Sequence, residues 1–496
     1  MPVRIASAFM SGVANPKETS GMAHGAIWGF VQIAAQKLAG VLTYLVLAWL
    51  LTPSEIGLGT LSITLVAAAT FIYPGAAVDS LMELVRPSSA AARAANLLAM
   101  ISSTWLILVT ALFGSFAANW WGSPALWPLL VVVAVRIFVE MTASASSAQL
   151  RLALRFREIA MADVVFAAVT LTFTVILALS GAGVWAMITP ILIGHIVRSW
   201  YFIRCAPLLP ANGGVKIAMR TMLPGFAWGG LQHSMAGLAQ VVDYLAISIF
   251  CTTISLGIYT IGFQIATMAY GFFSMTIGRV AQSTFTALRG DTQAQAHSHK
   301  HIQIQAMIGA APAGACLAAI APVLVRTVLP DRMAGVEGPL AILAIAMIFA
   351  NPIGICSGYL RANGRFSTLF HAQLFHTALL ALLAFLGAWS MGINAVAAAI
   401  FVTSVVSGIV HIVLCATDPT WITRLRIWPI KPVVAAIACF APAAWVCWMR
   451  EGSTALLGGA AFTIIGAAAY FALIRIIYPT IVGAIERTLA NRFRRQ

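Results

Sequence analysis

The sequence predicts an all-α integral membrane protein of about 14 transmembrane helices, built as two parallel six-helix lobes plus two C-terminal helices. Three observations predict it. Of 496 residues, 61% are hydrophobic and only 9% charged, against about 25% charged in a soluble globular chain. Continuous apolar runs of roughly twenty residues, the length a helix needs to cross hydrocarbon, follow one another along the chain. Basic residues also concentrate in alternate loops. A membrane barrel would instead show strands of about ten alternating residues. Only helices and closed barrels satisfy every backbone polar group inside lipid, so a helical bundle is left.

The spans fall near 25–51, 56–76, 96–117, 125–147, 163–180, 184–204, 224–250, 256–279, 304–326, 338–360, 366–389, 393–415, 429–449 and 455–477. With the N-terminus inside, 24 of the 29 Lys and Arg fall on the inner side, including Arg151, Arg155, Arg198, Arg361 and Arg365. Only Arg326, Arg332 and Arg450 fall outside, while Lys37 and Arg136 lie mid-span. That asymmetry is the positive-inside pattern with both termini cytoplasmic. It also accounts for the net charge of +15 without any nucleic-acid partner.

The expected organisation is a cytoplasmic tail 1–24, an N-lobe 25–204, a linker 205–223 and a C-lobe 224–415. A cytoplasmic loop 416–428, two further helices in 429–477 and a basic tail 478–496 complete it. The first twenty residues lack the apolar core of a signal peptide. Two matches disclose an internal repeat. Leu150, Arg151, Arg155 and Phe156 parallel Leu360, Arg361, Arg365 and Phe366, at an offset of 210. Thr52, Gly57 and Thr60 parallel Thr252, Gly257 and Thr260, at an offset of 200. Both offsets equal six spans, an even number, so the halves insert in the same orientation, as in one recurrent plan of secondary transporters.

No Walker-type phosphate loop, zinc-protease helix or nucleophile elbow occurs in the sequence. The outer loops are short, which argues against a membrane-embedded glycan polymerase or ligase. The seven cysteines are scattered without paired spacing and read as small core residues, with no metal site expected. His297, His299, Lys300 and His301 look metal-like but read as a solvated cytoplasmic linker.

Ionisable residues inside a membrane are costly and normally face a bundle interior. In span 1, Gln32, Gln36 and Thr43 form one polar stripe beside Lys37. Lys37 is either an anchor for an anionic head group or the partner of a carboxylate on a neighbouring helix. Arg136 and Glu140, at i and i+4, can neutralise each other. A guanidinium also suits bidentate phosphate contact, and a protonated Glu140 would release it. Span 7 carries Gln232, His233, Gln240 and Asp243, and Asp243 could bind a coupling H+ or Na+ or hold a helix contact. His195, His371, His376 and His411 read as cross-helix hydrogen-bonding groups. Pro74, Pro224, Pro312 and Pro322 mark candidate kinks.

Several segments carry a family resemblance: LVLAWLLTPSEIGLGTL, LRLALRFREIAMADV, LSGAGVWAMI, VVDYLAISIF, SLGIYTIGFQIATM and GYLRANGR. In this order, over residues 25–415, the chain resembles the polysaccharide-transporter (Wzx-type flippase) branch of the MOP superfamily. The resemblance implies two lobes around a central cavity in the cytoplasmic (inner) membrane of a bacterium. It implies flipping of an undecaprenyl-diphosphate-linked oligosaccharide for exopolysaccharide, capsule or O-antigen assembly, with H+ or Na+ coupling and no cofactor. Membrane lipids, the lipid-linked oligosaccharide, a polysaccharide polymerase and glycosyltransferases are the implied partners. The pattern's seventh-helix aspartate matches Asp243. Trp49 stands where the family has an arginine, and Val241 and Val242 where it has basic or amide residues. Expected roles are substrate binding for Lys37, Arg136, Gln32, Gln36 and Gln232, and ion coupling for Asp243 and Glu140. A MATE-like exporter of soluble cations and a peptidoglycan-precursor flippase are the other transporter readings.

Overall fold

Helix follows helix wherever the apolar runs lie. The computed structural model describes residues 32, 35–70, 74–82, 88–153, 155–208, 213–415, 430–450, 452–479 and 483, and every regular element among them is helical. The tail 1–24, the loop 416–428 and most of the tail from 478 lie outside the described residues.

The first helices are α1 (Ala35–Leu50), α2 (Pro53–Ala68), α3 (Ala76–Met82), α4 (Ser89–Trp120), α5 (Leu126–Thr142) and α6 (Ser144–Leu152). They continue as α7 (Phe156–Leu179), α8 (Trp185–Cys205), α9 (Val215–Ala239), α10 (Val242–Phe250), α11 (Thr253–Ala287) and α12 (Thr292–Val328). The last are α13 (Glu337–Ala362), α14 (Phe366–Met391), α15 (Ile393–Cys415), α16 (Ile430–Met449) and α17 (Gly452–Ile477). Among the described residues, 9 helices are long and apolar enough to cross a membrane, or up to 11 if α5–α6 and α9–α10 are each one broken span. Residues 35–50 and 53–68 form shorter apolar helices, and the 14 crossings read from the sequence would need these and α11 as spans too.

The chain divides into two compact units, Met1–Thr43 with Leu65–Ser234, and Tyr44–Thr64 with Met235–Gln496. The sequence expects residues 25–204 together, whereas tertiary contacts group residues 44–64 with the second half. The reason is a close crossing. A side chain at Gly57 would collide with the Thr253 carbonyl, and one at Gly257 with the Pro53 carbonyl, so two glycines let α2 lie directly on α11.

In the first unit, α4 packs on α5, α5 on α8, and α7 on α8. Its core sets Ala91, Ala94, Ala95 and Ala99 against α3 and against Met222 and Phe226 of α9. Small side chains permit this approach where lipid supplies no hydrophobic drive. The α5–α6 rod breaks at Ala143 by 42°. No proline causes this break. Asn96 on α4 accepts hydrogen bonds from Ser144 Oγ at 3.0 Å and from the Ala145 N–H at 3.3 Å. Its carboxamide thus satisfies a donor that the interrupted helix leaves free.

In the second unit, α13 packs against α11, α12 and α15. The two C-terminal helices join this unit: α16 packs on α12, and Tyr470 of α17 donates to the Ile308 carbonyl at 2.9 Å. Pro224, Pro312 and Pro322 lie inside helices, while Pro74 sits in the turn before α3. The segment with His297, His299, Lys300 and His301 is not a linker. It forms the first turns of α12, capped by Asp291, whose side chain accepts from Ala294 N at 2.9 Å.

Candidate functional site

The first unit gathers its charges at one place, between α5, α7 and α8. Asp163 lies seven residues inside α7 and is 1% exposed. Arg198, counted above among inner-side loop residues, lies within α8 and sets its Nε 2.8 Å from Asp163 Oδ1. The other Asp163 oxygen accepts from Gln32. Arg198 also reaches Glu140 at 3.8 Å, and Arg136 reaches the same carboxylate at 4.0 Å. The i, i+4 pair expected from the sequence is therefore one edge of a larger network.

His195 completes it. Arg136 Nη1 donates to His195 Nε2 at 3.3 Å, which assigns the ring proton to Nδ1, the nitrogen 3.8 Å from Glu140. Phe166 meets the His195 ring edge-on at 4.8 Å, and Arg198 stacks over Phe166 and Phe202. Two guanidinium groups thus face two carboxylates, and this balance is what lets the charges leave water. Asp163 is buried, and Arg198 keeps 20% of its side-chain surface exposed. Arg136 and Glu140 keep 24% and 32% of their side-chain surface exposed, so they form the accessible edge.

Lys37 is half-buried on α1 and joins no ion pair among the described residues, and Gln36 beside it is exposed. The Gln232 side chain lies outside the described residues.

The second unit holds Asp243 apart from any cation. It sits in the first turn of α10 and is 2% exposed. Tyr259 donates its hydroxyl to Oδ2 at 2.8 Å, whereas Oδ1 is buried and has no partner among the described residues. Tyr244, Tyr259 and Phe263 surround it with aromatic faces. Trp49, at the end of α1, donates through Nε1 to the Val328 carbonyl at 2.8 Å. Arg332 in turn donates to the Ala48 carbonyl at 3.3 Å and to the Trp49 carbonyl, so an arginine serves this helix end from elsewhere in the chain.

The sequence matches the family described as polysaccharide biosynthesis protein over residues 46–336. The chain belongs to this family. Among solved structures, its fold is similar to the lipid II flippase MurJ in an inward closed conformation. The TM-score is 0.74 at 13% identity, covering 92% of this chain and 99% of that one. An inward-facing multidrug resistance MATE family transporter of the MOP superfamily gives a TM-score of 0.63 at 14% identity, over 82% and 99% of the two chains. A MOP superfamily transporter from Pyrococcus furiosus gives 0.56 at 14% identity, over 83% and 96%. No curated protein matches the sequence. The matched family is that of polysaccharide biosynthesis proteins, and the fold is shared with the MurJ and MATE structures.

Two residues of the site escaped sequence reasoning. Asp163 opens an expected span and Arg198 nearly closes one, so both resemble boundary charges. The available signal was that apolar residues flank each on both sides.

Proposed function

We propose that this protein flips an undecaprenyl-diphosphate-linked oligosaccharide across the bacterial cytoplasmic membrane, for exopolysaccharide, capsule or O-antigen assembly, by ion-coupled alternating access. The single observation that carries the reading is the charge network of the first unit. A sugar diphosphate must cross an apolar bundle, and bidentate guanidinium contact is the strongest means of holding it. Arg136 meets that need: it keeps 24% of its side-chain surface exposed, and its carboxylate partner is 4.0 Å away and only loosely engaged. Lys37, which has no carboxylate partner among the described residues, adds a second cation for the head group. Asp163 holds Arg198 in place while Glu140, on protonation, frees Arg136.

Coupling falls to Asp243. Its partnerless Oδ1 is the atom that would carry a proton or contact Na+. An exporter of soluble cations would favour an excess of deep carboxylates, whereas two arginines balance two carboxylates in the first unit. With both termini cytoplasmic, the network lies toward the cytoplasmic side, where a substrate made inside would enter.

The test is deletion of the gene in its host, following polyprenyl-diphosphate-linked glycan by leaflet and polymer at the surface. Accumulation on the inner leaflet with loss of surface polymer is expected. Unchanged pools and polymer would reject the reading in favour of a soluble-substrate exporter.

A further inference from the structure

Three residues far apart in sequence meet inside the second unit. His299 lies near the start of α12, Cys356 near the end of α13, and Cys415 is the last residue of α15. All three are buried, and their donor atoms lie within 4.8 Å of one another. From this geometry we propose that His299, Cys356 and Cys415 form a structural binding site for a single divalent soft metal ion, zinc in the first place.

The His299–Cys356 separation fits before any metal is added, and the other donor pairs lie within 4.8 Å. Zinc binds thiolate sulfur at about 2.3 Å and imidazole nitrogen at about 2.0 Å, so a tetrahedral angle separates the two donors by about 3.5 Å. Cys356 Sγ stands 3.4 Å from His299 Nε2. Gln303 lines the same site. Gln303, one turn after His299 and 0% exposed, has its Nε2 at 3.4 Å from His299 Nε2 and 3.3 Å from Cys356 Sγ. Its Oε1 is buried and without a partner. Its Nε2 also donates to the Pro352 carbonyl at 3.4 Å, which holds the amide with its donor toward His299 Nε2.

Charge decides the metal. Binding deprotonates both thiols and leaves the imidazole neutral, so two protons are released and two thiolates remain. A divalent ion makes the buried site neutral, whereas a monovalent copper would leave a net negative charge in an apolar interior. Magnesium and calcium prefer oxygen donors and are disfavoured by this set. A metal here would tie together one end each of α12, α13 and α15. It would also fix the start of the GYLRANGR segment, because Cys356 precedes Gly358 by two residues.

The test uses the full-length protein in detergent, with zinc alone as the first probe and cobalt alone as the second. After equilibration and dialysis, about one zinc per chain is expected. Cobalt is expected to give a sulfur-to-cobalt charge-transfer band. Zinc should protect Cys356 and Cys415 of the native chain from alkylation, as read by peptide mass. Cys356→Ser and Cys415→Ser should each abolish the band, while Cys251→Ser should leave it. A native chain that retains no zinc above the buffer blank would overturn the site, as would cobalt bound without the band or a Cys356–Cys415 disulfide. The alkylation arm needs no variant, so misfolding of a variant cannot hide a negative result. None of these readouts depends on transport.

Discussion

The hydroxyls of Thr60 and Thr260 stand 3.2 Å apart, buried where α2 crosses α11, and the two residues occupy equivalent places in the internal repeat. The repeat's other members share the crossing. Thr52 and Thr252 both offer their hydroxyls to a backbone N–H three residues on, at 3.3 and 3.2 Å, so both helices begin with the same cap. Gly57 and Gly257 lie at the contact itself, each facing a carbonyl of the opposite helix. Replacing either glycine by alanine should force the helices apart at a cost of about 2 kcal/mol or more. Thr60→Val should cost about 1 kcal/mol. Thermal unfolding in detergent should rank the variants in that order. A Gly57→Ala protein as stable as the native one would refute this account of the crossing.

The second repeat match predicts a paired capping role. Arg155 Nη1 donates to the Cys205 carbonyl at 3.0 Å, and Arg365 Nη1 donates to the Leu414 carbonyl at 2.9 Å. Each arginine thereby closes the C-terminal end of a helix in its own unit, α8 or α15. The backbones match as well, with φ, ψ of −81°, 61° at Arg155 and −85°, 53° at Arg365. Both side chains reach solvent, so each alanine variant should lose only about 1 kcal/mol. The two losses should add, because each arginine caps a different helix in a different unit. A double-mutant melt that departs strongly from additivity would count against independent caps.

These repeats were legible because each rests on a glycine, threonine or arginine whose local geometry demands that residue type. The fold class was legible too, since lipid leaves few choices for a chain this apolar. The charge network was only half legible. Arg136 and Glu140 lie four residues apart on one helix, so periodicity finds them. Asp163 and Arg198 lie on different helices and near expected span ends, where hydropathy treats charge as a boundary. The regrouping of residues 44–64 was invisible for a similar reason, because helix-to-helix contact leaves no period in the sequence. His299 sits in a polar run that reads as solvated, although one face of α12 turns inward there.

Asp163 and Arg198 should behave as a structural pair. Removing one partner strands a buried charge, which typically costs about 3–5 kcal/mol. Arg198→Ala, which leaves the buried Asp163 carboxylate without its cation, should therefore lower abundance and melting temperature sharply. Arg136→Ala, at the exposed edge, should fold normally and lose transport, and Lys37→Ala should do the same. Surface polymer measured against membrane abundance separates the two classes. Normal polymer from both Lys37→Ala and Arg136→Ala would remove these residues from the substrate path.

Asp243 allows a sharper distinction between coupling and folding. Its carboxylate is buried with Tyr259 as its one side-chain partner and no cation among the described residues, an arrangement that would be costly for a permanent charge. A group that gains and loses a proton, or exchanges it for Na+, accounts for both its burial and its open oxygen. Asp243→Asn keeps the shape and the Tyr259 contact while removing the negative charge. It should therefore fold to normal abundance, yet respond no longer to an imposed proton or sodium gradient in a vesicle flipping assay. Tyr259→Phe removes only the hydroxyl hydrogen bond, worth about 1 kcal/mol, and should retain gradient dependence with a small loss of stability. If Asp243→Asn unfolds while Tyr259→Phe also loses abundance, the aspartate holds a helix contact instead. If Asp243→Asn still follows the gradient, the coupling group lies elsewhere, and Glu140 becomes the carboxylate to replace next.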